Sequence, residues 1–135
     1  MFEAEAALAP ASALKPHEMI LKPHLKELRS QIEDDGRIYM PIVVDRRSMT
    51  ILDGHHRYAA LTQLRAELVP ALLVDYECPE LEVHPRRIRV PLSKRIVVEY
   101  SSKGLLFPPK TTRHVLPVEP REVSVPLREL KRCRL

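Results

Sequence analysis

Between residues 49 and 64 an apolar run, Met49-Thr50-Ile51-Leu52, breaks at Asp53-Gly54 and passes directly into His55-His56-Arg57-Tyr58-Ala59-Ala60-Leu61-Thr62-Gln63-Leu64. The first run predicts a strand, and the alanines with the Leu61/Leu64 spacing predict a helix from Arg57. A strand that turns at a glycine into a helix leaves the first helical N–H groups without intrahelical partners. They stand at the positive end of the helix dipole, where a phosphate fits. The same turn carries a carboxylate, two imidazoles and a guanidinium. A purely structural reading makes Asp53 an N-cap worth about 1 kcal/mol, with His55 and His56 exposed. Capping accounts for Asp53 and leaves Gly54-His55-His56-Arg57 unexplained. The functional reading puts Arg57 and the helix start on a phosphate chain, with Asp53 beside a bridging Mg²⁺.

The surrounding pattern predicts an α+β chain. Leu25, Leu28 and Ile32 form one apolar stripe on a helix over His24–Glu33, with Pro23 in its first turn and Gly36 as a left-handed cap after Asp34-Asp35. Pro41–Asp45 predicts a buried strand, Arg46-Arg47-Ser48 a turn, and Met49–Leu52 its hairpin partner. Val69–Tyr76 is a further buried strand, Glu80–Val83 a short one, and Ile88–Val90 and Ile96–Tyr100 are β or mixed segments. Residues 1–10 are a frayed lead-in or a first strand, Pro10–Glu18 is extended or turning, and Gly104–His114 is irregular. No repeat or linker divides the chain, so residues 1–135 are expected to form a single domain, with strands clustered around two helices.

Aromatic residues are scarce and Trp is absent, so branched aliphatics must fill the core. Lys and Arg number 22 against 18 Asp and Glu, a formal charge of +4. That balance accommodates a polyanion, and small nucleotides satisfy it as well as DNA does. The first residues are acidic and no apolar run approaches about 18 residues, which points to a soluble cytoplasmic chain. Cys78 and Cys133 lie outside any paired motif and read as free thiols. Thirteen Pro against three Gly, with no Asn, fits a protein from a hot environment.

Other constellations carry less by themselves. The six histidines are scattered apart from His55-His56, and no cysteine lies near that pair, so a zinc site is disfavoured. Glu18, after the rigid Lys15-Pro16-His17, is a candidate base for a hydroxyl, although most surface glutamates have no such role. Lys110-Thr111-Thr112-Arg113-His114 offers two cations, two hydroxyls and an imidazole to an anion; a solvated basic loop explains it nearly as well. No Walker motif occurs. Arg86-Arg87, Arg89, Lys94-Arg95 and the basic C-terminus suggest a stripe for nucleic acid, but few aromatics are present for stacking, which argues against nucleic acid as the partner.

With these residues together, the chain resembles the ParB/sulfiredoxin-like superfamily, and within it the archaeal free serine kinases. The outline runs from Leu14 through Pro41-Ile42-Val43-Val44-Asp45 to Ile51–Leu61. ParB proteins carry Gly-Glu-Arg-Arg at the turn and sulfiredoxins Gly-Cys-His-Arg; this chain has Gly54-His55-His56-Arg57, the kinase-like form. Leu14–Glu18 and Pro108–His114 are also similar to the kinases, so the resemblance covers roughly residues 12–115, leaving 116–135 as a packing or interface tail. It implies a small mixed sheet with helices and a kinase that moves a phosphoryl group from ADP or ATP to free L-serine. Such an enzyme serves serine metabolism and cysteine biosynthesis. Glu18 would be the base, Asp53 would sit near Mg²⁺ and the reacting centre, Gly54, His55, His56 and Arg57 would hold the nucleotide, and Lys110, Thr111, Thr112, Arg113 and His114 would hold serine or its phosphate. The serine kinases are longer, so a second subunit of a homodimer is one replacement for their extra chain. The rival is a ParB-like, nucleotide-regulated DNA-binding module without kinase activity; a nucleotide binder without catalysis is a third reading.

Overall fold

A computed structural model describes residues 2–86 and 91–131. Its centre is a sheet of four strands: β1 (Ala4–Pro10), β3 (Ile42–Asp45), β4 (Ile51–Asp53) and β5 (Leu68–Val74), in the order β1-β5-β3-β4. β3 runs parallel to β5, and the other two pairings are antiparallel. The predicted hairpin over 41–52 is present. Its turn is tied down by Asp45, whose Oδ2 accepts from the Ser48 N–H at 3.2 Å and the Ser48 hydroxyl at 2.6 Å. Pro70 is tolerated in the interior strand because the β3 ladder begins one residue later, at Ala71.

Both faces of the sheet are covered, which is why β3 reads as an unbroken apolar run. Ile42, Val44 and Ile51 pack with Leu25 and Ile32 of α1 (Lys22–Asp35) and with Ala60 and Leu61 of α2 (His55–Gln63). Val43, Leu52 and Val74 face the other way, onto Tyr76, Leu81 and Val97. Pro23 lies in the first turn of α1, and Gly36 closes it at φ +64°, as the sequence predicts. The lead-in resolves as strand β1.

The segment Ile96–Tyr100 departs from the expected β or mixed structure, because it is helical within α3 (Lys94–Lys103). The Ser93 hydroxyl accepts from the Ile96 N–H at 3.2 Å, and Val97 and Ser101, four apart, form the buried face. Capping and i,i+4 burial outweigh the strand preference of the Ile-Val-Val run. Four α-helices, not two, stand among the described residues. The expected segment Ile88–Val90 lies outside them.

Two small ribbons complete the fold. β6 (Glu82–Pro85) pairs with β7 (Thr112–Val115), so Thr112, Arg113 and His114 stand on a strand where an irregular stretch was expected. β2 (Arg37–Ile38) pairs with β8 (Val125–Pro126), and α4 (Leu127–Leu130) buries Leu130 completely. The tail therefore packs against the body, with the Glu67 N–H donating to the Leu130 carbonyl at 2.8 Å. No helix among the described residues is long and apolar enough to cross a membrane.

Truncating Leu61, which is 1% exposed, should cost about 3 kcal/mol. Removing the exposed cap with Ser93→Ala should cost about 1 kcal/mol. Urea denaturation of the two variants checks both the size and the order.

Candidate active site

The polar turn is built as the sequence implies, with one change in its cap. Gly54, not Asp53, is the N-cap of α2, at φ +98°, and no side chain caps the helix. A Cβ at this position would lie 2.5 Å from Ile42 Cγ2, so only glycine lets the turn close against β3. The first intrahelical bond runs from the Tyr58 N–H to the Gly54 carbonyl at 2.9 Å. Asp53 is left outward, its side chain 64% exposed, with Arg57 Nη2 at 3.9 Å. Arg57 also donates to the Pro41 carbonyl at 3.2 Å, which holds the guanidinium against the turn.

Glu18 reaches this turn through backbone pairing. Lys15 is laced to the hairpin by bonds of 2.9 Å, its N–H to the Met49 carbonyl and its carbonyl to the Ile51 N–H. Residues 17 and 19 bind Phe107, which donates to the His17 carbonyl and accepts from the Met19 N–H, each at 2.8 Å. Glu18, between them, turns its carboxylate to the next stretch: Oε1 accepts from the Thr111 N–H at 2.9 Å and Oε2 from the Thr112 hydroxyl at 2.8 Å. Lys110 precedes this pair in a left-handed turn, φ +56°.

The result is one polar cavity of about 390 Å³, in the size range of small-molecule sites. Glu18, Asp53, Gly54, His55, His56, Arg57, Lys110, Thr112, Arg113 and His114 all line it. Thr111 does not: it is fully buried beneath, and its hydroxyl donates to the Pro108 carbonyl at 2.6 Å. Arg86 lines the cavity as well, brought there by pairing of its N–H with the Thr111 carbonyl at 2.8 Å. The sequence shows Arg86 only as part of a basic stripe, since the β6–β7 pairing that aims it has no local signal. A larger, mostly apolar cleft of about 1190 Å³ between Pro10, Tyr58, Leu68 and Arg128 gathers no comparable set of groups.

Four cations face two carboxylates in the cavity, so its bias is toward anions. The histidines do not add to it. His55 is buried rather than exposed, its Nε2 accepting from the His17 N–H at 3.1 Å. His56 Nε2 accepts from the Leu21 N–H at 2.9 Å, and its ring stacks on His24 at 4.2 Å. His17 is fully buried edge-on to His55 and His114, with ring centroids 4.6 and 5.9 Å away. Burial pushes His17 down to about 4, the Ile51 carbonyl partly opposing it. Burial, with His17 beside it, pushes His114 down to about 3. Burial holds His55 well below the usual range, and lowers His56 with help from His24 and Lys110. His114 Nε2 meets the Tyr76 hydroxyl at 2.7 Å, and burial raises that phenol's pKa.

Among the described residues no three His, Cys, Asp or Glu side chains are grouped to hold a metal ion. Asp53 is one exposed carboxylate beside the uncapped start of α2, and Mg²⁺ takes one or two carboxylates and completes its shell with water and phosphate oxygens. The donor set fits that use. Cys78 is a half-buried free thiol; Cys133 lies outside the described residues, as do Arg87, Arg89, Arg132 and Arg134 of the basic stripe.

The same frame is present in known proteins. A glutamate-to-alanine variant of free serine kinase in complex with ADP superposes with a TM-score of 0.85, at 18% identity, over 93% of each chain. The fold is that of free serine kinase. In sequence the chain is similar to a ParB-like protein of Sulfolobus acidocaldarius, 26% identical over 76% of this chain and 86% of that protein. It is also similar to an ATP-dependent L-serine kinase of Staphylothermus marinus, 38% identical over 53% of this chain and 30% of the kinase. An ADP-dependent L-serine kinase of Thermococcus kodakarensis is 28% identical over 53% of this chain and 31% of the kinase. The matched segment thus spans less than a third of those kinases. No protein-family model matches the chain.

Two outcomes test this geometry. Gly54→Ala should destabilise the fold by about 2–4 kcal/mol and weaken binding of any phosphate ligand at the α2 start, read by denaturation and calorimetry. The buried imidazoles titrate lower folded than the usual 6.5, so the unfolded chain binds more protons in that window and acid favours unfolding. Stability should be level above about pH 6.5 and fall as the pH drops toward 4 for His17 and 3 for His114. Denaturation midpoints at each pH measure it, and an unchanged midpoint between pH 6.5 and 4 would contradict the neutral cluster.

Proposed function

We propose that the protein is a free L-serine kinase, which transfers a phosphoryl group from ADP or ATP to the serine hydroxyl and gives O-phosphoserine. The observation that carries this reading is the convergence of Glu18, Asp53, the α2 start and the Lys110–His114 stretch on one cavity. Sequence similarity to L-serine kinases that use ATP and ADP supports it, as does a shared fold with free serine kinase.

The residues divide the work by position. The uncapped N–H groups of α2, with Arg57, receive the nucleotide phosphates, and Lys110, Arg113 and Arg86 hold the charge that builds on the transferred group. Thr111 and Thr112 keep the Glu18 carboxylate at the cavity wall, where a hydroxyl can lie within reach. As the serine oxygen bonds to phosphorus, the bond from phosphorus to the leaving nucleotide breaks and the serine proton passes to Glu18. Asp53 would hold Mg²⁺ against the phosphates, and the ion would supply charge neutralisation there. A homodimer and a reducing cytoplasmic setting, in keeping with the free Cys78 thiol, are part of this proposal.

A ParB-like DNA-binding role is not favoured. The charged groups line a concave cavity suited to a small ligand, whereas duplex binding calls for an extended basic face.

Incubation with Mg²⁺, L-serine and either ADP or ATP should yield O-phosphoserine, detected by mass spectrometry. Glu18→Ala should lower kcat by about 10²-fold or more while nucleotide binding persists. Arg57→Ala should weaken nucleotide binding by roughly tenfold or more. Full turnover in purified Glu18→Ala removes its role as base, and absence of phosphoserine with both nucleotides refutes the assignment.

A further inference from the structure

The Thr112 hydroxyl has one hydrogen and two neighbours able to accept it. Glu18 Oε2 lies 2.8 Å away and His17 Nε2 lies 3.1 Å away. His17 cannot supply a second hydrogen. Its Nδ1 stands 2.8 Å from the Ile51 carbonyl, which only accepts, so Nδ1 carries the ring hydrogen and Nε2 presents a lone pair. The ring has no exposed surface, and burial keeps it neutral. The other groups facing it are His55, whose Nε2 is occupied by the His17 N–H, His114, the apolar Phe107, and Glu18, whose Oε2 is 3.9 Å from Nε2.

While Glu18 is ionised, the carboxylate takes the Thr112 hydrogen, because a charged acceptor binds it more strongly. The lone pair of His17 Nε2 then faces an oxygen lone pair. Placing a proton on Glu18 repairs the mismatch. The Thr111 N–H already faces Oε1 at 2.9 Å, so the proton belongs on Oε2. Oε2–H then donates to Thr112 Oγ1, and the Thr112 hydrogen turns to His17 Nε2.

We infer that Thr112 and His17 are positioning residues that favour proton acceptance by Glu18, through a hydroxyl that switches its hydrogen from the carboxylate to the imidazole. The inference rests on the reading of Glu18 as the base. In the step, the serine O–H bond breaks as oxygen bonds to phosphorus and the phosphorus–nucleotide bond breaks. The proton goes to Glu18 Oε2, the Thr112 hydrogen rotates toward His17, and Glu18 returns its proton to water after product release. His17 stays neutral throughout.

Glu18→Gln is a fixed copy of the protonated state. The Thr111 N–H holds the amide oxygen on its side, so the NH₂ takes the place of Oε2 and donates to Thr112. Nitrogen NMR of the His17 ring at neutral pH should show the Nε2 resonance moving upfield from wild type to Glu18→Gln, as that nitrogen gains a hydrogen bond. The move should vanish when Thr112→Val is added. An unmoved resonance in folded Glu18→Gln overturns the inference, and this measurement needs no turnover. Failure of the kinase assignment is seen separately, as absence of phosphoserine with the wild-type protein. In the kinase assay, Thr112→Val should lower kcat about tenfold with KM for serine and nucleotide within about twofold, and Thr112→Ser should restore most of it. Equal losses in the Ser and Val variants would also overturn it.

Discussion

The turn at Gly54 lies so tightly against Ile42 that a Cβ there would fall 2.5 Å from a side-chain carbon of β3. Because nothing projects there, the chain leaves β4 and starts α2 within a single residue, and α2 lies down on the sheet. Ala60 and Leu61 then reach the core beside Ile42 and Val44. The same contact aims the uncapped start of the helix into the cavity and keeps Arg57 within 3.2 Å of the Pro41 carbonyl. Core packing and the shape of the polar cavity thus share one steric condition.

The electrostatics of the cavity come in two layers. At its inner wall stand His55 and the half-buried His114, with His17 fully buried behind them; burial holds all three neutral, and the nearness of His17 discourages protonation of the other two further. Above it stand Arg57, Arg86, Lys110 and Arg113 with the carboxylates of Glu18 and Asp53. An inner wall of neutral imidazoles leaves the charged groups to set the sign of the field. Interactions of a phosphate with those cations are stronger there than in open solvent.

Much of this was legible in the sequence because it is local. The strand–glycine–helix turn, the Gly36 cap and the hairpin over 41–52 each depend on neighbours within a few residues. Ile96–Tyr100 misled because its β-branched side chains report strand preference, whereas the Ser93 cap and the Val97/Ser101 spacing decide the helix. The meeting of Glu18 with residues 111 and 112 was invisible to spacing, since it depends on Phe107 binding both sides of residue 18. The motif resemblance suggested that these stretches belong together, and the hydrogen bonds supply the physical reason. The inward roles of the His55 and His56 side chains, each accepting from a backbone N–H, were hidden in the same way: a His-His pair looks alike whether it faces solvent or the chain.

The stretch from Lys15 to Glu18 also closes the outer side of β4, through the bridge of Lys15 to Thr50 and onward through Glu18 to Phe107. A sheet margin left open is a template for other chains. Displacing these four residues would bare unpaired backbone groups of the hairpin, so Glu18 cannot swing out as a lid does; its release has the cost of local unfolding. The backbone on either side of Glu18 is thereby held by the same bonds that cover that margin of the sheet.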